Sequence, residues 1–507
     1  MQKHYVLIDC DRVQDYVFAS SRLREICNAS SLLDQLEVET LPGMVTDLCV
    51  NTIRSGGGVV LAKFDTPQQA KDFIRSAHDL YRTYGISVTS YTRPFPHSIV
   101  NFYDEVLLPL HKSVRSQKDS PEGRAFHIST LLAVPCESSG IDPAQRPVEI
   151  PDGLRRMSHS EVEKRAHWSD TIVESDLSQR LCLRLPHDFG GVVGWTIREA
   201  LREKDLPGTS EKRLLGIVYA DVNGLGKQIP PIAKDENTYA LFAKELRNTV
   251  RDSLREALDQ VLSPAVNQRL SSSKLRLSTT ALPVRVLYVG GDDLAVAIQG
   301  CYALDFVERL LHLFEQKSVA LLKPLADVPC LPSHLTMSAG IVLAPYNYPI
   351  QNFNRVGHEL EERAKCFGRY ASSPSSSLVD FCLIKNNVAG SLQQVRRGQQ
   401  INNFLLYGGP YTLQELNRLK QASVKLKEES FPRNKLKQLR EILSHKELTA
   451  KFLYAEWWHG LNDYCRKVFF ETVCIPFNLD GPPLLPRQDK GYWVTPVIDV
   501  VELSDLL

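Results

Sequence analysis

One order of elements, met twice, constrains this chain more than any other feature of its sequence. HYVLIDCD (4–11) reads as a strand ending in Asp9 and Asp11. SSRLREICNASSLLDQL (20–36) follows as a helix, then Val45 to Ile53 and Val59 to Phe64 as a hairpin about Ser55-Gly56-Gly57-Gly58. Thr66-Pro67 is a helix cap and first turn, and Ile86 to Tyr91 closes the unit with a strand. The second copy opens at Leu214 to Ala220, an apolar run that delivers Asp221 at its C-terminal end before the turn Asn223-Gly224-Leu225-Gly226. A helix with Leu241, Phe242, Leu246 and Val250 on one stripe comes next, then the hairpin RVLYVGGDDLAVAIQ (285–299). A helix over Ala303 to Leu322 and the strand HLTMSAGIVLA (334–344) complete the copy, and a helix (Asn354 to Gly368) and a strand (Leu378 to Ile384) follow. Strand, helix, hairpin, helix, strand is the ferredoxin-like βαββαβ order, so an α+β chain with two such units is expected.

Both copies carry glycines at the hairpin tip, and only the second keeps carboxylates there. A Gly/Asp cluster between β-formers is also an ordinary hairpin turn. Adjacent Asp side chains repel, however, and are tolerated best where a divalent cation neutralises them. The first strand and the central hairpin are neighbours in such a sheet, which sets Asp221 beside Asp292 or Asp293. Carboxylates from two adjacent strands are what a two-metal site needs. One ion lowers the pKa of an attacking hydroxyl, and the other offsets charge on phosphate and leaving pyrophosphate. The N–H groups of residues 223–226 suit a phosphate cradle, with Lys227 and Lys365 to neutralise a triphosphate.

YADVNGLGK, VGGDD, TMSAGIVLA and RAK (363–365) together resemble the catalytic palm of the large polymerase-like subunit of type III CRISPR effector complexes, itself related to diguanylate cyclases. LIDCDRVQDYVF followed by RLREICNASSLL resembles that subunit's degenerate first palm. The resemblance spans residues 1–110 and 210–390. It implies an enzyme that condenses ATP into cyclic oligoadenylates, second messengers that switch on effector proteins. It implies Asp221, Asp292 and Asp293 as catalytic carboxylates and, with the Val222 carbonyl, as ligands of Mg²⁺ or Mn²⁺. Asn223, Gly224, Gly290, Gly291 and Lys365 would then meet the nucleotide, and Ser338 would lie near the adenine. On the residues alone, Met337 to Gly340 read equally as a tightly packed central strand. ATP, other effector-complex subunits and guide or target RNA are the partners it implies. The family's HD domain and zinc-finger cysteines are not found, so DNA cleavage and zinc are not expected. His78-Asp79 and His187-Asp188 read as surface pairs.

Elsewhere the sequence speaks of structure. A chain of 507 residues, 43% hydrophobic and 23% charged, suits two to four domains. Net charge is +1, so no global basic field marks a nucleic-acid binder. Eleven scattered cysteines without a Cys-x-x-Cys pair, no signal peptide and no apolar membrane span suggest a cytoplasmic protein. Residues 111–209 read as a mostly helical linker, SSPSSS (372–377) as a loop, and 391–507 as a helical domain. Lys425 to Arg440 read as a solvated helix face rather than an RNA contact. Trp457, Trp458, Tyr464 and Phe469 read as core packing rather than base stacking. Alternatives to the oligoadenylate product are a cyclic di- or mononucleotide, or a nucleotide-binding scaffold without turnover.

Overall fold

Val6 and Ile8 on one face of a strand, and Tyr5 and Leu7 on the other, are all 0–1% exposed, so β1 (Lys3–Cys10) is a central strand buried on both sides. It pairs antiparallel with β3 (Val59–Phe64) and β4 (Val88–Phe95). With β2 (Asn51–Gly56) the sheet order is β2-β3-β1-β4. Helices α1 (Leu23–Gln35) and α2 (Pro67–Thr83) join these strands, and α3 (Leu108–Asp119) follows the fourth. Thr66 caps α2 by accepting from the Gln69 amide, a capping box with Pro67 at its first turn. This is a computed structural model, and it describes residues 2–47, 51–119, 134–150, 153–167, 172–193, 214–271, 281–370, 376–384, 390–401, 404–479, 487–489 and 492–506, apart from single positions within those spans.

The second sheet is built on β5 (Leu214–Val222). Short α4 (Leu225–Ile232) and long α5 (Glu236–Ser271) lead to the hairpin β6 (Val284–Val289) and β7 (Asp293–Gln299). Then come α6 (Gly300–Leu322), β8 (Met337–Pro345), α7 (Ile350–Tyr370) and β9 (Leu378–Leu383). From one edge the order is Tyr411–Thr412, β9, β8, β5, β7, β6. Along β5, Val218, Ala220 and Val222 join the core beneath α5 and α6, while Leu215, Ile217 and Tyr219 join Val6 and Ile8 of the first unit. One strand therefore serves two cores, which is why its sequence is apolar without alternation. The chain is a mixed α+β protein, and no helix among the described residues is long and apolar enough to cross a membrane.

Some expectations need correction. Val45 lies in a helix, Leu41–Asp47, and the strand begins only at Asn51; Val45 is fully buried there, so tertiary packing overrides its β-branched preference. The linker region includes a hairpin, Arg146–Ile150 with Gly153–Met157, beside helices at His159–Ala166 and Ile172–Leu181. The C-terminal region is helical over Leu413–Glu428, Arg433–Leu443 and Glu447–His459, yet it also holds a four-stranded sheet of two- and three-residue strands. Trp457 and Phe469 are buried against each other, whereas Tyr464 is exposed and donates to Glu429. Residues 372–375 of the Ser-rich segment lie outside the described residues.

Candidate active site

The register of the second sheet puts Asp221, near the end of β5, directly opposite Asp293, the first residue of β7. The Gly290 amide closes the turn onto the Asp293 carbonyl at 2.7 Å, and the Val222 amide donates to the Asp292 carbonyl at 3.1 Å. A Cβ on Gly290 would fall 2.0 Å from Asp293 Oδ1, so glycine here is a condition for that carboxylate's position. Tyr288 Oη donates to Asp293 Oδ2 at 3.0 Å. Burial, then the repulsion of Asp292 and Asp221, pushes Asp293 up to about 7. Burial likewise pushes Asp221 up to about 7, although the Lys365 ammonium opposes it from 2.9 Å.

Lys365 divides itself between Asp221 and Glu361, the latter at 2.6 Å. His358 Nδ1 lies 3.3 Å from Glu361, and its ring packs on Tyr219 at 4.6 Å. Glu361, though buried, is held below the ordinary carboxylate range by His358 and Lys365. The helix reaches the site because two glycines let it approach. A Cβ on Gly340 of β8 would lie 2.4 Å from the Gly357 carbonyl, and one on Gly357 would lie 2.2 Å from the Tyr219 ring.

Ser338 does not face an open site. It is fully buried and donates to Asn223 Oδ1 at 2.8 Å, while Asn223 Nδ2 donates to Thr336 Oγ1 at 3.1 Å. The packed-strand reading of residues 337–340 describes its surroundings: Met337, Ser338 and Ala339 are all 0% exposed. Ser338 thus reaches the site through Asn223. Ser338→Ala should cost about 1 kcal/mol of stability, the net worth of one such hydrogen bond, measured by urea denaturation. A neutral result would mean that Asn223 holds its position without that hydroxyl. Gly224, at φ +74°, turns the chain from β5 into α4, and Lys227 stands exposed on that helix.

The tip of the second hairpin meets the tip of the first. A Cβ on Gly57 would lie 2.9 Å from the Gly291 amide nitrogen, and Gly56, Gly57 and Gly58 all have positive φ. Two cavities flank this contact. The larger, of about 600 Å³, is lined by Ile53, Arg54, Tyr239, Lys244, Arg247 and Asp292. The smaller, of about 430 Å³, includes Arg12, Asp34, Glu37, Tyr288 and Asp293. Asp292, in the turn, lines the larger cavity, and Asp293, the first residue of β7, lines the smaller. Asp292 stays close enough for its charge to raise both Asp221 and Asp293. Among the described residues, no group of three or more His, Cys, Asp or Glu is placed to hold a metal ion. Asp221 and Asp293 are the pair that the fold brings together.

Sequence reasoning missed Glu361, Tyr288, Arg54 and Arg247. The first was detectable, since Glu361 and Lys365 stand four apart on a helix. Arg54 donates to Tyr239 Oη at 3.1 Å and Arg247 to the Ser55 carbonyl at 2.6 Å, contacts between the two sheets' elements that no local pattern encodes.

The raised carboxylates predict a pH dependence. A carboxyl held near 7 in the folded chain, against an ordinary 3.8, binds its proton more tightly folded than unfolded. The stability it contributes is present at low pH and is lost as pH rises through about 7. The metal-free thermal midpoint should therefore fall between about pH 5.5 and pH 8, and less steeply in Asp293→Asn. Saturating Mn²⁺ should restore stability chiefly at the upper end; equal stabilisation at both ends would sink the assignment.

A sheet whose first strand and central hairpin carry carboxylates to one edge, with helices packed across it, has the make-up of a palm domain. Residues 214–371 match the family model of the Cas10/Cmr2 second palm domain, and along its length the chain resembles a Cas10-like large subunit. Its fold is similar to that of the Csm1–Csm4 cassette in complex with cA4, with TM-score 0.58 and 15% identity over 99% of this chain and 70% of that one. The apo cassette gives 0.56 and 14% over the same shares. The Csm1–Csm4 subcomplex of the type III-A CRISPR-Csm interference complex gives 0.54 and 14%, covering 100% of this chain and 70% of that one. No curated protein matches the sequence.

Proposed function

We propose that this chain is a nucleotidyltransferase that condenses ATP into a cyclic oligoadenylate-type messenger, within a type III CRISPR-like antiviral defence. The observation that carries this reading is the cross-strand pair Asp221 and Asp293 at a tip flanked by two cavities. Proteins of similar fold have been solved with cA4, cA3, pppApA and one ATP, which supports ATP as substrate and an oligoadenylate as product. Their assembly with Csm4 supports other effector-complex subunits, and through them guide or target RNA, as partners. On the same reading both sheets are ferredoxin-like palms, with residues 1–110 the first, 111–209 a linker, 210–390 the catalytic palm with its GGDD hairpin, and 391–507 a C-terminal domain.

The donor set fits a divalent cation: two neighbouring half-buried carboxylates hold their protons up to about 7, and the one ammonium beside them, Lys365, is shared between Asp221 and Glu361. Asp221, Asp292, Asp293 and the Val222 carbonyl would hold Mg²⁺ or Mn²⁺, Asp292 being close enough for its charge to raise the other two carboxylates. Such an ion would lower the pKa of an attacking hydroxyl and offset charge on the departing pyrophosphate. The chain's own groups do the rest. Lys365 gives two of its three donors to carboxylates, and the third serves a phosphate oxygen. Asn223 is fixed at the turn by Ser338 and Thr336, and Gly224, Gly290 and Gly291 let phosphates approach the backbone. Arg54, Arg247 and Lys244 draw the phosphate chain into the larger cavity, whose apolar wall suits a base. Purified chain with each NTP and Mg²⁺ or Mn²⁺, followed by mass spectrometry, tests this. Cyclic oligoadenylates from ATP are expected. A cyclic dinucleotide from GTP would replace the product, and no product under any condition would leave a binding scaffold.

A further inference from the structure

The two sheets are alike in one more respect than strand order. In the first, Asp9 faces Val59, the opening residue of β3; in the second, Asp221 faces Asp293, the opening residue of β7. Asp9 is therefore the positional counterpart of Asp221. Each is met by a lysine from the helix that follows the fourth strand, Lys118 of α3 and Lys365 of α7, at 2.9 Å in both cases.

The two ammonium groups are not used alike. Lys118 Nζ donates to Asp9 Oδ1 at 2.9 Å, to Asp11 Oδ1 at 3.1 Å and to the Cys10 carbonyl at 3.1 Å. An ammonium has three donors, and all three are consumed. Asp11 is fixed further by Ser87 Oγ at 2.7 Å and Thr89 Oγ1 at 2.9 Å. Two carboxylates and the main-chain carbonyl between them, converging on one cation at the end of a first strand, are hard oxygen donors of the kind a divalent ion takes. Lys365 differs, because its second partner, Glu361, lies on its own helix. It can release Asp221 to an arriving ion and stay paired. Lys118 has only first-strand oxygens to hold, so releasing them would strand its charge.

We propose that the Lys118 ammonium is a built-in cation standing where a divalent ion would bind, so that of two matching acidic edges only the one at Asp221 and Asp293 accepts an exchangeable metal. Lys118 is a positioning residue in this account. It closes the first edge to metal and offsets one of that edge's two carboxylate charges, whatever ligand the neighbouring cavity takes.

The test is Mn²⁺ binding to the full chain without nucleotide, counted by electron paramagnetic resonance of the free ion. K118M keeps the side-chain stem and removes the charge; it should bind one Mn²⁺ per chain more than wild type, and K118M/D9N should lose that extra ion. A folded K118M with no extra ion overturns the proposal. Should K118M not fold, D9N/D11N in the wild-type background decides. An unchanged Mn²⁺ count supports Lys118 as the resident cation, and a count lower by one overturns it.

Discussion

Asp293→Asn should lower nucleotide turnover by on the order of 10³ while leaving the metal-free fold more stable above neutral pH. The activity loss follows from removing one half of the only cross-strand carboxylate pair the register provides among the described residues. Losing a single well-placed electrostatic group in a catalytic site costs about this much. The stability gain follows from the same geometry. Burial and two neighbouring carboxylates hold Asp293 near 7, so at pH 8 its ionised form is a strain that the unfolded chain does not carry. Asn keeps the shape and can still accept from Tyr288 without that charge. Turnover by mass spectrometry and thermal midpoints at about pH 5.5 and pH 8 check both halves. Undiminished product, or an unfolded variant, would make Asp293 a structural residue of the turn.

The second large effect belongs to Gly340→Ala. Its Cβ would stand 2.4 Å from the Gly357 carbonyl and 2.6 Å from the Glu361 amide, both backbone atoms that cannot swing aside. Helix α7 must then back away from β8, carrying Lys365 off Asp221. Overpacking of this kind costs about 1–3 kcal/mol, and a clash with backbone alone belongs at the upper end. The urea midpoint should fall accordingly with an unchanged slope, and turnover should fall with it. A variant as stable and active as wild type would mean that α7 sits more loosely than this contact implies. The same contact gives Gly340, the last residue of the Ser-Ala-Gly tripeptide, a packing role against the helix.

Strand order, the hairpin and the arrival of Asp221 beside Asp293 were legible because each rests on local pattern, apolar runs punctuated by glycine. Val45 escaped because a buried β-branched residue suits a helix once the core demands it there. The small C-terminal sheet has strands of two and three residues, too short to carry a period. Lys118 and Glu361 could be named only after the sheets had placed their helices.

The abutting glycines of the two hairpins have a mechanical meaning. At Gly57 and Gly291 the wall between the cavities is bare main chain, with no side chain to absorb movement. Soft matter between two chambers would damp a displacement; a rigid seam of peptide passes it on. A molecule that lifts one tip by a few tenths of an ångström must shift the other, and with it the carboxylates on either side. Filling one chamber would then be expected to change the shape of the next.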